Sequence, residues 1–304
     1  MANTKEIKKR INSVMDTQKI TKAMYLIAST KMRKAKNELD KTRPYFGALK
    51  SEIKRIFRTV KDLESKYFYP VDGSHIPEGT YGMLVITADK GLAGAYNQNV
   101  IKEAQKLLND HPDMELFVVG EYGRHAFTQR HIPIEKSFLY TAQNPTMQRA
   151  REISSLLLSK FDSGELKKIF IVYTDLKNGL VAEATSTRLL PFHRQYFETV
   201  PREKEVTTPF EFSPSIGAVL DNIMSSYVSG FIYSALVDSF CSEQNARMTA
   251  MNAANENAEK LLDKLSIQYN RVRQAAITQE ITEVTAGAKA QKRKHVKEAS
   301  GSWI

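Results

Sequence analysis

The chain is almost without cysteine: Cys241 stands alone in 304 residues. A single cysteine builds no internal disulfide and no multi-cysteine zinc site. It points to a reducing, cytosolic compartment. Long apolar runs are missing as well. No stretch approaches the roughly 18–20 residues that a membrane-crossing helix needs, so no direct membrane insertion is expected. Residues Met1 to Arg10 are charged and have no apolar segment behind them, unlike a secretory signal. Proline is missing from both ends, since all ten lie between Pro44 and Pro214. Proline breaks helix interiors, so the two ends are free to form long helices and the middle is not.

Catalytic patterns are missing too. The six histidines, His75, His111, His125 and His131 among them, are scattered, with no metal-ligand spacing. The segment Asp89-Lys90-Gly91-Leu92-Ala93-Gly94-Ala95-Tyr96-Asn97 sits where a phosphate loop would. It lacks both the Gly-Lys-Ser/Thr ending and the three-glycine dinucleotide fingerprint. Gly120-Glu121-Tyr122-Gly123 fails the same tests. These glycines are read as allowing tight strand-to-helix turns. No Gly-x-Ser-x-Gly elbow occurs. The expectation is a chain with no catalytic site, cofactor or metal of its own, and with Cys241 packed rather than reactive.

Positive charge, by contrast, is plentiful and placed at the ends. The net charge is +10, and residues 1–61 hold 17 Lys/Arg against 5 Asp/Glu. Residues 286–304 add 5 Lys/Arg against 1 Glu. Both ends therefore favour an anionic partner: nucleic acid, anionic lipid or an acidic protein surface.

Both ends also carry heptads. Ile7, Ile11, Val14, Gln18, Thr21, Tyr25, Ala28, Met32, Ala35 and Leu39 step by four and three without a slip. Such stepping keeps one seam on a partner helix and implies a left-handed supercoil. Pro44 is expected to kink this helix or to start a second one over Ala48–Val60. From Ile216 the same stepping runs through Leu220, Ile223, Tyr227, Gly230, Ser234, Val237, Cys241, Gln244, Met248 and Met251 to Ala276. About 70 helical residues would span roughly 105 Å, too long for a compact domain. The N-terminal helix, packed antiparallel, is the obvious partner.

The middle alternates strand and helix patterns. Strands are expected at Met83–Ile86, Leu116–Val119, Ile134–Tyr140 and Ile169–Tyr173, with an edge strand at Val181–Leu190. Helices are expected at Asn97–Leu108, Glu121–Arg130 and Thr146–Phe161. This alternation implies a mostly parallel sheet with covering helices. The fold class is therefore α/β: a long antiparallel coiled coil of the N- and C-terminal helices plus a central Rossmann-like domain. The expected regions are an N-terminal helix over 1–61, an α/β domain over 80–200, a C-terminal helix over 213–290 and a basic extension over 291–304, read as a disordered tail.

Two stretches resemble the gamma subunit of F-type ATP synthases. One runs from Ile7-Lys8-Lys9-Arg10-Ile11 through Thr17-Gln18-Lys19-Ile20-Thr21-Lys22-Ala23-Met24 to Arg43-Pro44-Tyr45. The other is Ser242-Glu243-Gln244-Asn245-Ala246-Arg247-Met248 with Gln268-Tyr269-Asn270-Arg271-Val272-Arg273-Gln274 and on to Glu283. The loop Asp89-Lys90-Gly91-Leu92-Ala93-Gly94 is similar to the family's Asp-Arg-Gly-Leu-Cys-Gly. The resemblance covers residues 1–290. It implies a central rotor shaft that couples ion flow in the membrane to ATP chemistry. Its implied partners are the alpha, beta and epsilon subunits and the c-ring, with one copy per complex, held peripherally at the cytoplasmic face of the cell membrane. It implies beta-subunit contacts at Arg247, Arg273, Gln274 and Met24. It implies an apolar bearing collar of Ile7, Ile11, Ile277, Ile281 and Val284, and a foot contact to the c-ring at Phe210, Glu211 and Phe212. The runner-up readings are a basic coiled-coil protein that binds nucleic acid and a coiled-coil scaffold. No nucleic-acid recognition motif supports the former.

Overall fold

The computed structural model describes residues 4–59, 65–69, 79–177, 181–193, 197 and 212–300; for 58, 59, 177, 181 and 293–300 it describes backbone only. The elements in chain order are α1 (Thr4–Thr59), β1 (Tyr81–Ile86), α2 (Tyr96–Asp110), β2 (Glu115–Val119), α3 (Glu121–Gln129), α4 (Met147–Asp162), β3 (Lys168–Lys177), β4 (Val181–Leu190) and α5 (Ile216–Ser300). The chain divides into two compact units, one of Leu26–Ala250 and one of Met1–Tyr25 with Met251–Ile304.

In the first unit the sheet order is β2-β1-β3-β4. Strand β1 is parallel to β2 and to β3, while β4 closes the edge antiparallel to β3. Strands buried on both faces are apolar at successive positions rather than at every second one, as Met83-Leu84-Val85-Ile86 shows. Side chains still alternate between faces. Leu84, Ile86, Phe117, Val119, Ile169 and Ile171 join one core, with α4 and the terminal helices. Met83, Val85, Leu116 and Val118 join the other, with α2 and α3.

Three expectations meet a different outcome. Ile134–Tyr140 is not a strand. It lies along the β2 edge, held by only two backbone bonds, Glu135 N–H to Leu116 O (2.8 Å) and Gly120 N–H to Tyr140 O (3.0 Å). Between them the chain turns at Glu135, whose carboxylate accepts from Ser137 N–H (3.0 Å) and hydroxyl (2.6 Å). Phe138 is drawn down onto Phe117 (ring centroids 5.5 Å apart), so packing replaces the ladder. Helix α1 runs on through Pro44, so no second helix starts at Ala48, the one of the two alternatives that the helix bounds decide. Helix α5 reaches Ser300, where a disordered tail was expected. The stretch Ala288–Ser300 is rich in Ala, Lys, Gln and Arg, all good helix formers, and holds no Gly or Pro.

Helices α1 and α5 approach closely at Gly230. A Cβ there would stand 2.0 Å from a Phe46 ring carbon. The Gly230 position in the heptad seam thus reflects a close approach of the two helices, not weak patterning.

In the second unit the two helix segments run antiparallel. Gln18 donates to Glu259 (3.1 Å), and Thr21, three residues on, donates to Asn255, four residues back. Ile7, Met251 and Leu265 are buried, and Ile11, Val14, Gln18, Thr21, Asn255, Ala258, Leu262, Tyr269 and Val272 are half-buried. These are the seam positions of the heptad reading. The seam stops at Val272. From Arg273 to Lys292 every side chain of α5 is exposed.

Candidate partner-contact site

The carboxyl ends of the strands beside the strand-order reversal, here β1 and β3, are where such an α/β sheet usually takes a ligand. Here the chain's own side chains occupy that crevice. Asp89 accepts from the backbone N–H groups of Glu121 (3.2 Å), Ala142 (3.0 Å) and Gln143 (3.1 Å). Its carboxylate thus sits at the start of α3, where an anion is favoured. Asn97 accepts from Ala88 N–H (2.9 Å), and Thr87 accepts from Gly123 N–H (3.0 Å) while donating to Val119 O (2.9 Å). Gly120 has φ 95°, and a Cβ there would lie 2.5 Å from Thr87 O. The tight-turn reading of this glycine therefore has a geometric cause.

The loop that follows Asp89 is tied to α5. Arg247 donates to Glu243 (2.6 Å) and to Gly91 O (3.0 Å). Its side chain is only 11% exposed and that of Glu243 only 6%. Burial raises the Glu243 carboxyl above its ordinary range, and Arg247 opposes that rise. Beside them Tyr96 is buried; burial first, then the Glu243 charge, pushes its phenol upward. The Ser239 hydroxyl accepts from Thr174 N–H (3.2 Å). Further back, burial and the Asp175 charge push Asp238 up to about 6. Burial pushes the Cys241 thiol up to about 12 and its Sγ faces Met32 O (3.8 Å), so it is a packed, protonated thiol.

The expected contact residues are distributed unevenly. Arg247 belongs to this internal clamp, with both guanidinium arms engaged. Arg273 and Gln274 are fully exposed, and Met24 is half-buried. Of the expected collar, Ile7 is buried at 4% exposure and Ile11 half-buried in the seam, whereas Ile277 (43%), Ile281 (61%) and Val284 (73%) face solvent. Phe212 packs against the first unit's core; Phe210 and Glu211 lie outside the described residues. Glu243 holds Arg247, and Asp89 and Asn97 hold the loop it reaches; all three stood inside quoted motifs, but motif reading gave them no such role. The signal was present in the runs of polar residues that neither a seam nor a turn requires. Among the described residues no group of three or more His, Cys, Asp or Glu could hold a metal, and no helix is long and apolar enough to cross a membrane.

An α/β domain borne between two long terminal helices, with its ligand crevice filled from within and apolar side chains bare on one helix, defines a helical stalk protein. Comparison with known proteins narrows this. The family model described as "ATP synthase" matches residues 3–291. The ATP synthase gamma chain of Caldanaerobacter subterraneus subsp. tengcongensis is 40% identical over 292 residues, covering 93% of this chain and 98% of that protein. A gamma chain of Acetobacterium woodii, named as sodium ion specific, is 35% identical over 302 residues, 95% of this chain and 98% of that one. Among solved structures, a chain of the Euglena gracilis mitochondrial ATP synthase (OSCP/F1/c-ring) shares the fold with TM-score 0.63 at 16% identity, covering 99% of this chain and 96% of that one. The chain belongs to the ATP synthase gamma chain family.

Proposed function

We propose that the chain works as the rotating central shaft of its ATP synthase, coupling ion translocation in the membrane sector to ATP synthesis or hydrolysis in an alpha/beta hexamer. One observation carries the reading: α5 continues bare past the end of its seam, from Arg273 to Lys292, with Ile277, Ile281 and Val284 exposed. Exposed apolar side chains of this size mark a surface that a partner covers. An apolar sleeve makes few directional bonds, so a shaft can turn within it. Arg273 and Gln274, with Met24, stand free to meet acidic or polar loops of the beta subunits. Shaft orientation then sets which beta conformation is favoured, a population shift driven mechanically.

In this reading residues 1–61 and 213–290 form the shaft, and residues 80–200 form a foot. The foot, with Phe210, Glu211 and Phe212, meets the epsilon subunit and the c-ring. The chain contributes no catalytic site, is present once per complex, and is held peripherally at the cytoplasmic face. The basic stretch 291–304 extends toward the hexamer's far end. The test is reconstitution with alpha and beta subunits. One copy per hexamer and a marked gain in ATPase activity are expected. A chain that fails to co-purify, or that shifts DNA in a salt-sensitive gel assay instead, defeats the reading.

A further inference from the structure

Within the unit Leu26–Ala250, helices α1, α4 and α5 leave between them a groove of about 1060 Å³. A groove between packed helices is ordinarily filled by apolar ridges. This one has a mixed lining, in which Phe46, Tyr67, Met147 and Leu158 stand beside the cations Lys41 and Arg151 and a set of hydroxyls. On α4, Arg151, Ser155 and Ser159 step by four and so share one face. On α1, Lys41 and Tyr45 do the same, and on α5, Ser225 and Ser229. Ser154 also borders the groove, but its hydroxyl is buried away from it.

The groove's charge and shape narrow the ligand. Asp162, the carboxylate on its wall, is tied to Lys66 (3.0 Å), outside the lining. The Arg151 guanidinium has no partner among the described residues. Lys41 makes only an exposed pair with Glu38 (2.7 Å), which is worth little and is readily exchanged. Tyr45 is 55% exposed, with its ring set edge-on to Phe46 (centroids 5.2 Å, interplanar 72°). A planar, exposed ring one turn from Lys41, in a groove that Arg151 also lines, suits a flat ligand with an anionic tail. Hydroxyl rows suit sugar and phosphate oxygens, and the volume matches a ligand of nucleotide size.

We propose that this groove binds a nucleoside phosphate, with the base against Tyr45, the phosphates between Arg151 and Lys41, and the sugar along the serine rows. The groove lies on residues read above as shaft and foot, and nucleotide binding to the isolated chain does not rest on that reading.

Equilibrium dialysis of the full chain with labelled ATP and ADP tests the proposal. Saturable binding of one nucleotide per chain is expected. Arg151→Ala and Tyr45→Ala should each weaken it at least about tenfold, while Arg130→Ala, on α3's side of the sheet, leaves it unchanged. Ser155→Phe fills the groove from an exposed helix position, and it should abolish binding while circular dichroism stays that of the parent. An azido-adenine nucleotide should label the peptide holding Tyr45. No saturable binding at millimolar nucleotide, or binding indifferent to Arg151 and Ser155, overturns the proposal. So does labelling elsewhere. Loss of Tyr45 labelling on assembly with the other subunits also overturns it, because a protein partner would then own the groove.

Discussion

Two stretches of one helix invert the usual rule of burial. Around residues 238–247 of α5, polar side chains lie inside: Ser239, Ser242, Glu243 and Gln244 are buried, and Arg247 nearly so. Around residues 277–284, apolar side chains lie outside. Buried polar groups mostly have partners. The first stretch meets Gly91 and Thr174 within its own unit, while its Ser242 hydroxyl is buried with no hydrogen-bond partner among the described residues. Apolar groups stay exposed where a partner is missing, and the second stretch has none among the described residues. The first is finished within the chain and the second is not.

The largest effect should come from breaking the finished stretch. Arg247→Ala strands the Glu243 carboxylate in a buried site, and such a loss costs about 3 kcal/mol. Urea unfolding of the full chain reads it. Adding Glu243→Gln removes the stranded charge and should recover part of the loss. A double variant no better than the single one would show that the pair's electrostatics do not hold the clamp.

Next comes pH. Asp238 has its folded pKa raised from 3.8 to about 6. The folded state therefore holds the proton more tightly than the unfolded chain does. Below the unfolded pKa both states are protonated and the group costs nothing. As pH rises from about 4 to about 6 the stability falls, and above that it levels off. At roughly 1.4 kcal/mol per unit, the cost at neutral pH is about 2–3 kcal/mol. Asp238→Asn should remove it, raising the urea midpoint at pH 7 and flattening the profile between pH 4 and 6. A slope that survives the substitution would show that Asp238 is not its source.

How much of this contrast was legible in the sequence depends on distance along the chain. The seams, the sheet and the edge strand followed from local periodicity, which a sequence displays directly. The Arg247 clamp did not, because its acceptor, the Gly91 carbonyl, lies 156 residues away. An arginine in a helix reads the same whether it points in or out. Ile134–Tyr140 read as a strand because its apolar residues suit one. Whether a ladder forms depends on the neighbouring edge, and here only two bonds were made. The heptads continue to Ala276, yet burial along α5 stops at Val272, because burial depends on what covers a seam and not on its pattern alone.

A smaller effect belongs to the paired part of the second unit. Thr21 and Asn255 meet across its seam by a hydrogen bond, and polar seam residues set register at some cost in stability. Thr21→Val with Asn255→Leu should stabilise the helix pair by about 1 kcal/mol, seen as a higher melting temperature. The same change should loosen the register, which cysteine cross-linking between exposed neighbours would detect as extra products.

The smallest stability effect should fall on the unfinished stretch, and it sharpens the comparison most. Ile277→Ser, Ile281→Ser and Val284→Ser together remove apolar surface that already faces water in the isolated chain. Surface changes of this kind shift stability by about 0.5 kcal/mol or less, so the urea midpoint of the full chain should barely move. In the reconstituted complex the outcome should differ. There the same side chains would be covered, and covering each one fully is worth about 1.5–3 kcal/mol. The triple variant should therefore assemble more weakly with the alpha and beta subunits, read as a lower melting temperature of the complex and a lower ATPase rate at limiting subunit concentration. An unchanged complex would mean that α5 beyond Val272 stays as bare in the assembly as it is alone. The exposed apolar residues would then need an explanation other than a sleeve.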